Sequence, residues 1–261
     1  MALLRKSAAA LCVAAAVLLA APPAASAHPS PHGTLAREDF DRLPLGPVTE
    51  GRGWTGDTAG GTLSVVPGSR GHGRELRIRT DGNGRAFLVF DKLSPPGNSF
   101  WGRVRLRVGG FPSAPDWAHW TIAEASGTGS ATLVRPLGGQ YAPTDHGNFW
   151  GVGSDLGPTG DWTSWKTSSP AVAGTWQCVE FHLDARDNRV SVYLDGVRQS
   201  DLTVSTRDHG GTADDFVFPA FDRLKLGWQL YQADPTPASY DIRMDDITLG
   251  TRRLGGCGSE G

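Results

Sequence analysis

The sequence predicts an all-β fold in which two sheets pack face to face as a sandwich. Three observations carry that prediction. Residues 100–108 alternate cleanly, with Val104, Leu106 and Val108 on one face and Arg103, Arg105 and Arg107 on the other, the period-2 pattern of a half-buried strand. Short apolar runs recur between turns rich in Gly, Pro and Asp, in a chain that carries 35 Gly and 18 Pro, as sandwiches and barrels do. No amphipathic stretch is longer than one or two helical turns.

In chain order, residues 1–27 read as a secretory signal peptide. Arg5 and Lys6 form a positive start, residues 8–19 a short apolar run, and Ala25-Ser26-Ala27 a small-residue cleavage site. No later stretch is apolar enough to span a bilayer, so a secreted, extracellular chain without a membrane segment is expected. Residues 28–37 form a flexible lead, residues 38–257 a single β domain, and 258–261 a tail. Early strands fall at 63–66, 75–79 and 86–90. Residues 117–141 form a hairpin, and 147–169 a long loop rich in Gly, Asp, Ser and Trp. A second hairpin spans 176–183 and 189–194, with the Asp195-Gly196 turn after it. Leu224, Leu226, Trp228 and Leu230 put an apolar face on the next strand, with Lys225, Gln229 and Tyr231 opposite, and residues 242–249 form the last strand.

Loss of Arg5 and Lys6 leaves 23 of the 25 basic residues against 27 acidic ones, a net charge of −4. That balance lacks the basic surplus of a general nucleic-acid binder. Cys12 leaves with the signal, so Cys178 and Cys257 remain; in an oxidising compartment two cysteines most simply pair. Two cysteines so far apart make no zinc or redox motif, and no organic cofactor is expected.

The 117–141 hairpin concentrates unusual polar groups. Alternation puts Trp120 and Ile122 towards the core and His119, Thr121 and Ala123 on the other face. Arg135, Gln140 and Tyr141 arrive from the next strand. Such a wall is either a site for an acidic sugar or a wet, satisfied sheet surface; as a site it suits cleavage of a uronate polymer by β-elimination, which needs a neutralised carboxylate, a base for the C5 proton and an acid for the leaving oxygen. Arg135 and Gln140 match a planar carboxylate. A histidine, here His119, is the residue type suited to a base near neutrality, and Tyr231 is the candidate acid, base or both. Lys225, Gln229, Tyr141 and Trp150 complete the binding surface, with Trp150, Trp162 and Trp165 as loop aromatics that either rim a groove or pack the loop down.

The order and spacing of several motifs carry a family resemblance. They are Glu38-Asp39-Phe40-Asp41, His72-Gly73, His119-Trp120-Thr121, Gly138-Gly139-Gln140, the segment Trp176-Gln177-Cys178-Val179-Glu180-Phe181-His182, Leu226-Gly227-Trp228-Gln229-Leu230-Tyr231, Asp245-Asp246-Ile247 and Gly256-Cys257. In these the chain resembles the secreted cellulose-induced proteins of cellulolytic fungi and actinobacteria. The resemblance implies a β-jelly roll, a concanavalin A-like two-sheet sandwich similar to glucuronan and alginate lyases, with a groove for polysaccharide. It aligns His119, Arg135, Gln140 and Tyr231 with a lyase-like set, although Arg135 stands one residue before the family's arginine, at whose place this chain has Pro136. It also implies a structural calcium held by Asp41, His72 and Asp245.

Alternation independently points Asp245 inward beside Ile247 and Leu249, where a buried carboxylate must ligate a metal or pair with an arginine such as Arg74 or Arg243. The Arg103, Arg105, Arg107 ladder is either an electropositive track or solvated outer surface. The absence of a Gly-x-Ser-x-Gly elbow disfavours a serine hydrolase. A glycosidase would need two facing carboxylates, for which Glu124 and Glu180 are the in-strand candidates. The expectation is therefore a monomeric uronate-directed lyase acting on acidic or plant cell-wall polysaccharide, with a non-catalytic carbohydrate-binding accessory as the alternative.

Overall fold

The computed structural model describes residues 33–69, 71–113, 117–128, 132–145, 147–159, 169–231 and 237–257. The signal peptide, residues 28–32 of the lead, Trp162, Trp165 and the 258–261 tail lie outside them. The strands are β1 (Thr34–Glu38), β2 (Gly46–Pro47), β3 (Glu50–Gly51), β4 (Trp54–Pro67), β5 (Arg74–Asp91), β6 (Phe100–Val108) and β7 (Ala118–Thr128). After them come β8 (Leu133–Ala142), β9 (Gly147–Asp155), β10 (Gln177–Asp184), β11 (Arg189–Leu194), β12 (Val197–Val204), β13 (Ala220–Tyr231) and β14 (Ser239–Gly250). The only helical element among the described residues is a 3-10 turn at Pro96–Asn98.

All pairings between these strands are antiparallel, and two long strands stitch the layers together. The first half of β5 pairs with β14 (Leu76 opposite Met244), and its second half pairs with β13 (Phe90 opposite Leu224). One layer is therefore ordered β12-β11-β10-β6-β14-β5 and the other β5-β13-β7-β8-β9. Strand β4 follows β5 through both. This is the all-β jelly roll that the sequence predicts.

The separate strands expected at 75–79 and 86–90 are thus one strand. Gly82 has φ +50°, and a Cβ on Gly84 would sit 2.3 Å from the Gly60 carbonyl oxygen. At the same level β4 breaks register between Ala59 and Gly61. Glycine lets both strands bend together from one layer into the other.

Between the layers lies one apolar core. Leu76, Ile78, Leu106, Ile242 and Met244 face Leu88, Trp120, Ile122, Leu224 and Trp228, all at 1% exposure or less. Trp120 stacks on Trp228 with ring centroids 5.8 Å apart and meets Trp150 edge-on at 5.1 Å. Aromatic pairs of this geometry each add about 0.5–1.5 kcal/mol beyond their buried area.

Several expectations need correction. Residues 34–37 of the lead form β1, because Arg37 and Glu38 find backbone partners at Thr248 and Ile247 of β14. The first nine residues of the expected 147–169 loop form β9, which pairs with β8. Asp245 does not share a face with Ile247. Asp246 adopts φ +52° and the β14–β6 register breaks between Asp245 and Thr248, so Met244 enters the core and Asp245 turns outward. A bulge resets alternation, which counting by twos does not anticipate.

The Cys178–Cys257 disulfide is present, with Cα atoms 5.5 Å apart. The tail it holds runs over the outer face of the first layer. There Glu180, 1% exposed, accepts hydrogen bonds from the Leu254 and Gly255 amides at 2.8 and 2.9 Å and from Arg253 Nε at 3.1 Å. The arginine ladder is on this same face. Arg103 donates to the Leu254 carbonyl, Arg107 donates to the Gly174 carbonyl, and Arg105 lies over the Trp176 ring. The ladder is outer surface, and Glu180 is a tail anchor on the opposite layer from Glu124.

Candidate functional site

The outward face of the β5-β13-β7-β8-β9 layer collects the polar residues that the hairpin predicts. Register does the assembling: His119 on β7 stands opposite Tyr231 on β13 and opposite Gln140 on β8. The His119 and Tyr231 rings meet edge-on with centroids 5.5 Å apart. Arg135 reaches the same group. Its Nη1 donates to the Tyr231 hydroxyl at 3.1 Å, and its guanidinium carbon lies 5.2 Å from the Tyr231 ring centre. His119, Gln140 and Arg135 are only 9, 3 and 8% exposed, a depth at which polar groups are held by specific partners.

Arg135 arrives there although it precedes the position where the family's arginine is expected. The β8–β9 register shifts between Arg135 and Gly138, so the irregularity at Pro136 returns the arginine to the outward face. A second break, between Thr121 and Ala123, corrects the sequence reading of β7. Ile122 and Ala123 both join the core, and Glu124 faces outward opposite Lys225 in place of Ala123.

Behind the polar group the face is built from small residues. Thr121 pairs with Gly138, which pairs with Gly151, and Gly227 occupies the bulge in β13. A Cβ on Gly227 would fall 2.1 Å from the Ala86 carbonyl oxygen, so only glycine allows β13 this close to β5. The Thr121 hydroxyl, on a residue 1% exposed, has no hydrogen-bond partner among the described residues.

Charged side chains continue the face. Arg135 Nη2 lies 3.0 Å from Asp155 and its Nε 3.9 Å from Glu124; Lys225 Nζ lies 3.6 Å from Glu124 and 3.2 Å from Asp57; Arg85 Nε lies 3.1 Å from Asp57. Burial by itself raises the Asp57 pKa, but hydrogen bonds from Arg85 and Lys225 overcome it and hold the carboxyl below its ordinary value. Gln229 sits in the same face, opposite Arg85 and Thr121.

Sequence reading missed Arg85, Asp57 and Asp155 as parts of this surface, and met Glu124 only as half of a glycosidase pair. Their signal was alternation alone, and the bulges hide it.

Two expected binding residues do not belong to the face. Trp150 is fully buried among Phe111 and Trp120, because it falls on the inward side of β9. Tyr141, 7% exposed, belongs to the core cluster, one residue out of phase with the outward Gln140.

Two carboxylates of the expected calcium trio bind neighbouring backbone amides. Asp41 Oδ1 accepts the Arg74 amide at 2.7 Å, and Asp245 Oδ1 accepts the Asp246 amide at 2.8 Å. Among the described residues no group of three His, Cys, Asp or Glu side chains is arranged to hold a metal. The arginine partners considered for Asp245 are engaged elsewhere: Arg243 pairs with Glu75 and Asp241, and Arg74 donates to the Leu43 carbonyl.

A cavity of about 850 Å³ lies elsewhere, lined by Ala36, Arg37, Arg52, Lys92, Leu93 and Thr251 among others. Its lining carboxylate, Asp91, is paired with Arg223, and the lining has no histidine or tyrosine; the convergence of His119, Gln140, Arg135 and Tyr231 locates the chemistry instead.

Neither a protein-family model nor a curated protein sequence matches the chain. Solved structures do. The cellulose-induced protein Cip1 superposes with a TM-score of 0.60 at 20% identity, over 85% of this chain and 100% of that one. A sialidase superposes with a TM-score of 0.52 at 14% identity over 84% of this chain, but over only 19% of its own length. At these identities what is shared is the architecture. The chain has the all-β, concanavalin A-like jelly-roll fold of Cip1.

Proposed function

We propose that this protein is an extracellular polysaccharide-active protein that cleaves a uronate-containing glycan by β-elimination. The observation that carries the reading is the Arg135–Tyr231 hydrogen bond of 3.1 Å, set beside His119 and Gln140 on one buried polar face. It joins a cation that suits a carboxylate to a phenol that exchanges protons.

In the step this supports, Arg135 and Gln140 hold the uronate carboxylate and withdraw charge from C5. Tyr231 or His119 takes the C5 proton. The C5–H electron pair becomes the C4–C5 double bond, and the C4–O pair leaves on the glycosidic oxygen. That oxygen takes a proton from whichever of the two groups holds one. The floor of Thr121, Gly138 and Gly151 adds no bulky side chain to the face, and the Thr121 hydroxyl, partnerless among the described residues, suits a sugar hydroxyl.

The secretory signal and the disulfide support an extracellular setting. Ultraviolet absorbance during incubation with a panel of uronate polymers tests the proposal, because elimination leaves an absorbing unsaturated uronate and hydrolysis does not. A flat trace across the panel with retention on polysaccharide would instead establish a binding accessory on the same face.

A further inference from the structure

Among the described residues, six charged side chains flanking the site form one alternating chain across every strand of the layer. In spatial order they are Arg85 on β5, Asp57 on β4, Lys225 on β13, Glu124 on β7, Arg135 on β8 and Asp155 on β9. Each cation in this chain already has a carboxylate within 4 Å, and its three cations and three anions cancel. A surface evolved to track a polyanion is instead expected to leave cations unmatched, so that successive substrate charges find them. Here each further substrate carboxylate has to displace a protein carboxylate or stand beside one.

The links are not equally open to displacement. The Glu124 side chain is 11% exposed and lies between Arg135 and Lys225, while the Asp57 side chain, 28% exposed, is shared by Lys225 and Arg85. The Asp155 side chain is 48% exposed, and among the described residues its ion pair is with Arg135. Its carboxylate is half in solvent, and an incoming carboxylate that takes its place keeps the buried guanidinium paired. Within this chain of charges one place lets an incoming carboxylate replace a protein one, on Arg135 beside Tyr231; the other half-exposed pair of the layer, Arg223 with Asp91, stands at the far end of β13.

We infer that the ligand class is a glycan with isolated uronates among neutral sugars, with one carboxylate held beside Tyr231, and not a homopolyuronate. Asp155 holds the carboxylate position on Arg135 until that single uronate takes it. The inference rests on the proposed uronate-binding face and specifies its ligand.

Calorimetric titration tests it. Binding is measured in Tyr231→Phe, so that the ligands stay whole, with two oligosaccharides of matched length: a glucuronoxylan fragment carrying one glucuronate and a glucuronan fragment carrying one on every unit. The expected result is binding of the first at least about tenfold tighter than the second, with a shallow salt dependence. Adding Asp57→Asn and Asp155→Asn, both isosteric, should reduce that ratio about tenfold and steepen the salt dependence for glucuronan.

Tighter binding of glucuronan by the protein with its native carboxylates overturns the inference, as does a failure to bind either fragment. The lyase reading is judged separately, by unsaturated product from the wild-type protein. Selective binding of the single-uronate fragment without product leaves this inference standing and removes the elimination step.

Discussion

Replacing Tyr231 by Phe removes one oxygen and leaves the ring that packs against His119 and under Arg135. The structural cost is bounded by the lost Arg135–Tyr231 hydrogen bond. Bonds from a charged donor are worth about 1.5–3 kcal/mol, and Arg135 retains Asp155 at 3.0 Å, so a loss of about 1 kcal/mol is expected. The chemical cost is larger. Positioned acid–base catalysis contributes roughly 10²–10⁴-fold, or about 3–5 kcal/mol of transition-state stabilisation. The assay is the initial rate of unsaturated-uronate absorbance, read beside calorimetric affinity for the same glycan. Turnover should fall at least about a hundredfold with affinity within about threefold of wild type. A variant that keeps more than a tenth of its rate would falsify the assignment of Tyr231 to proton transfer. A parallel loss of affinity and rate would show instead that the hydroxyl only binds.

Thr121→Val replaces a buried hydroxyl that has no hydrogen-bond partner among the described residues; thermal stability should hold or rise by about 1 kcal/mol while glycan affinity falls, and a drop in stability would refute the partnerless reading. Removing both Cys178 and Cys257 by alanine substitution opens a crosslink between residues 79 apart. On the chain-entropy account that costs roughly 4–5 kcal/mol, and guanidinium unfolding should show a loss of that order; less than about 1 kcal/mol would mean that the Glu180 clamp alone orders the tail. Hydrogen bonding from Arg186 is the largest effect lowering the Asp184 carboxyl, to about 2, against an ordinary value of 3.8. A depressed folded-state pKa stabilises above the unfolded value and is lost as pH falls through the folded one. Melting temperature should therefore decline between about pH 4 and pH 2, and the decline should be shallower in Asp184→Asn.

How much of this was legible in the sequence depends on how local each signal is. Strict alternation placed Val104, Leu106 and Val108 inward and the three arginines outward, and it put Lys225, Gln229 and Tyr231 together on the outward face of β13. His119, Gln140 and Tyr231 were therefore readable as candidates, and two surviving cysteines in an oxidising compartment were enough to predict their bridge. Misreadings cluster where the period is broken. Bulges at Thr121–Ala123 and Asp245–Thr248 turned Glu124 outward and took Asp245 out of the core. Trp150 was placed on a loop because its Gly-rich surroundings hide a strand that only pairing with β8 stabilises.

The sequence by itself determined what is written in nearest-neighbour terms: an all-β sandwich, its apolar faces, its disulfide and the residue types of the polar wall. Tertiary structure decided what depends on register between strands far apart in the chain. It alone set His119 between Tyr231 and Gln140, reaching across separations of 112 and 21 residues, and it alone matched Arg85, Lys225 and Arg135 to carboxylates. The physical reason is that a sheet places side chains by hydrogen-bond pairing between strands, and a single bulge moves a residue from core to surface without leaving a mark in composition.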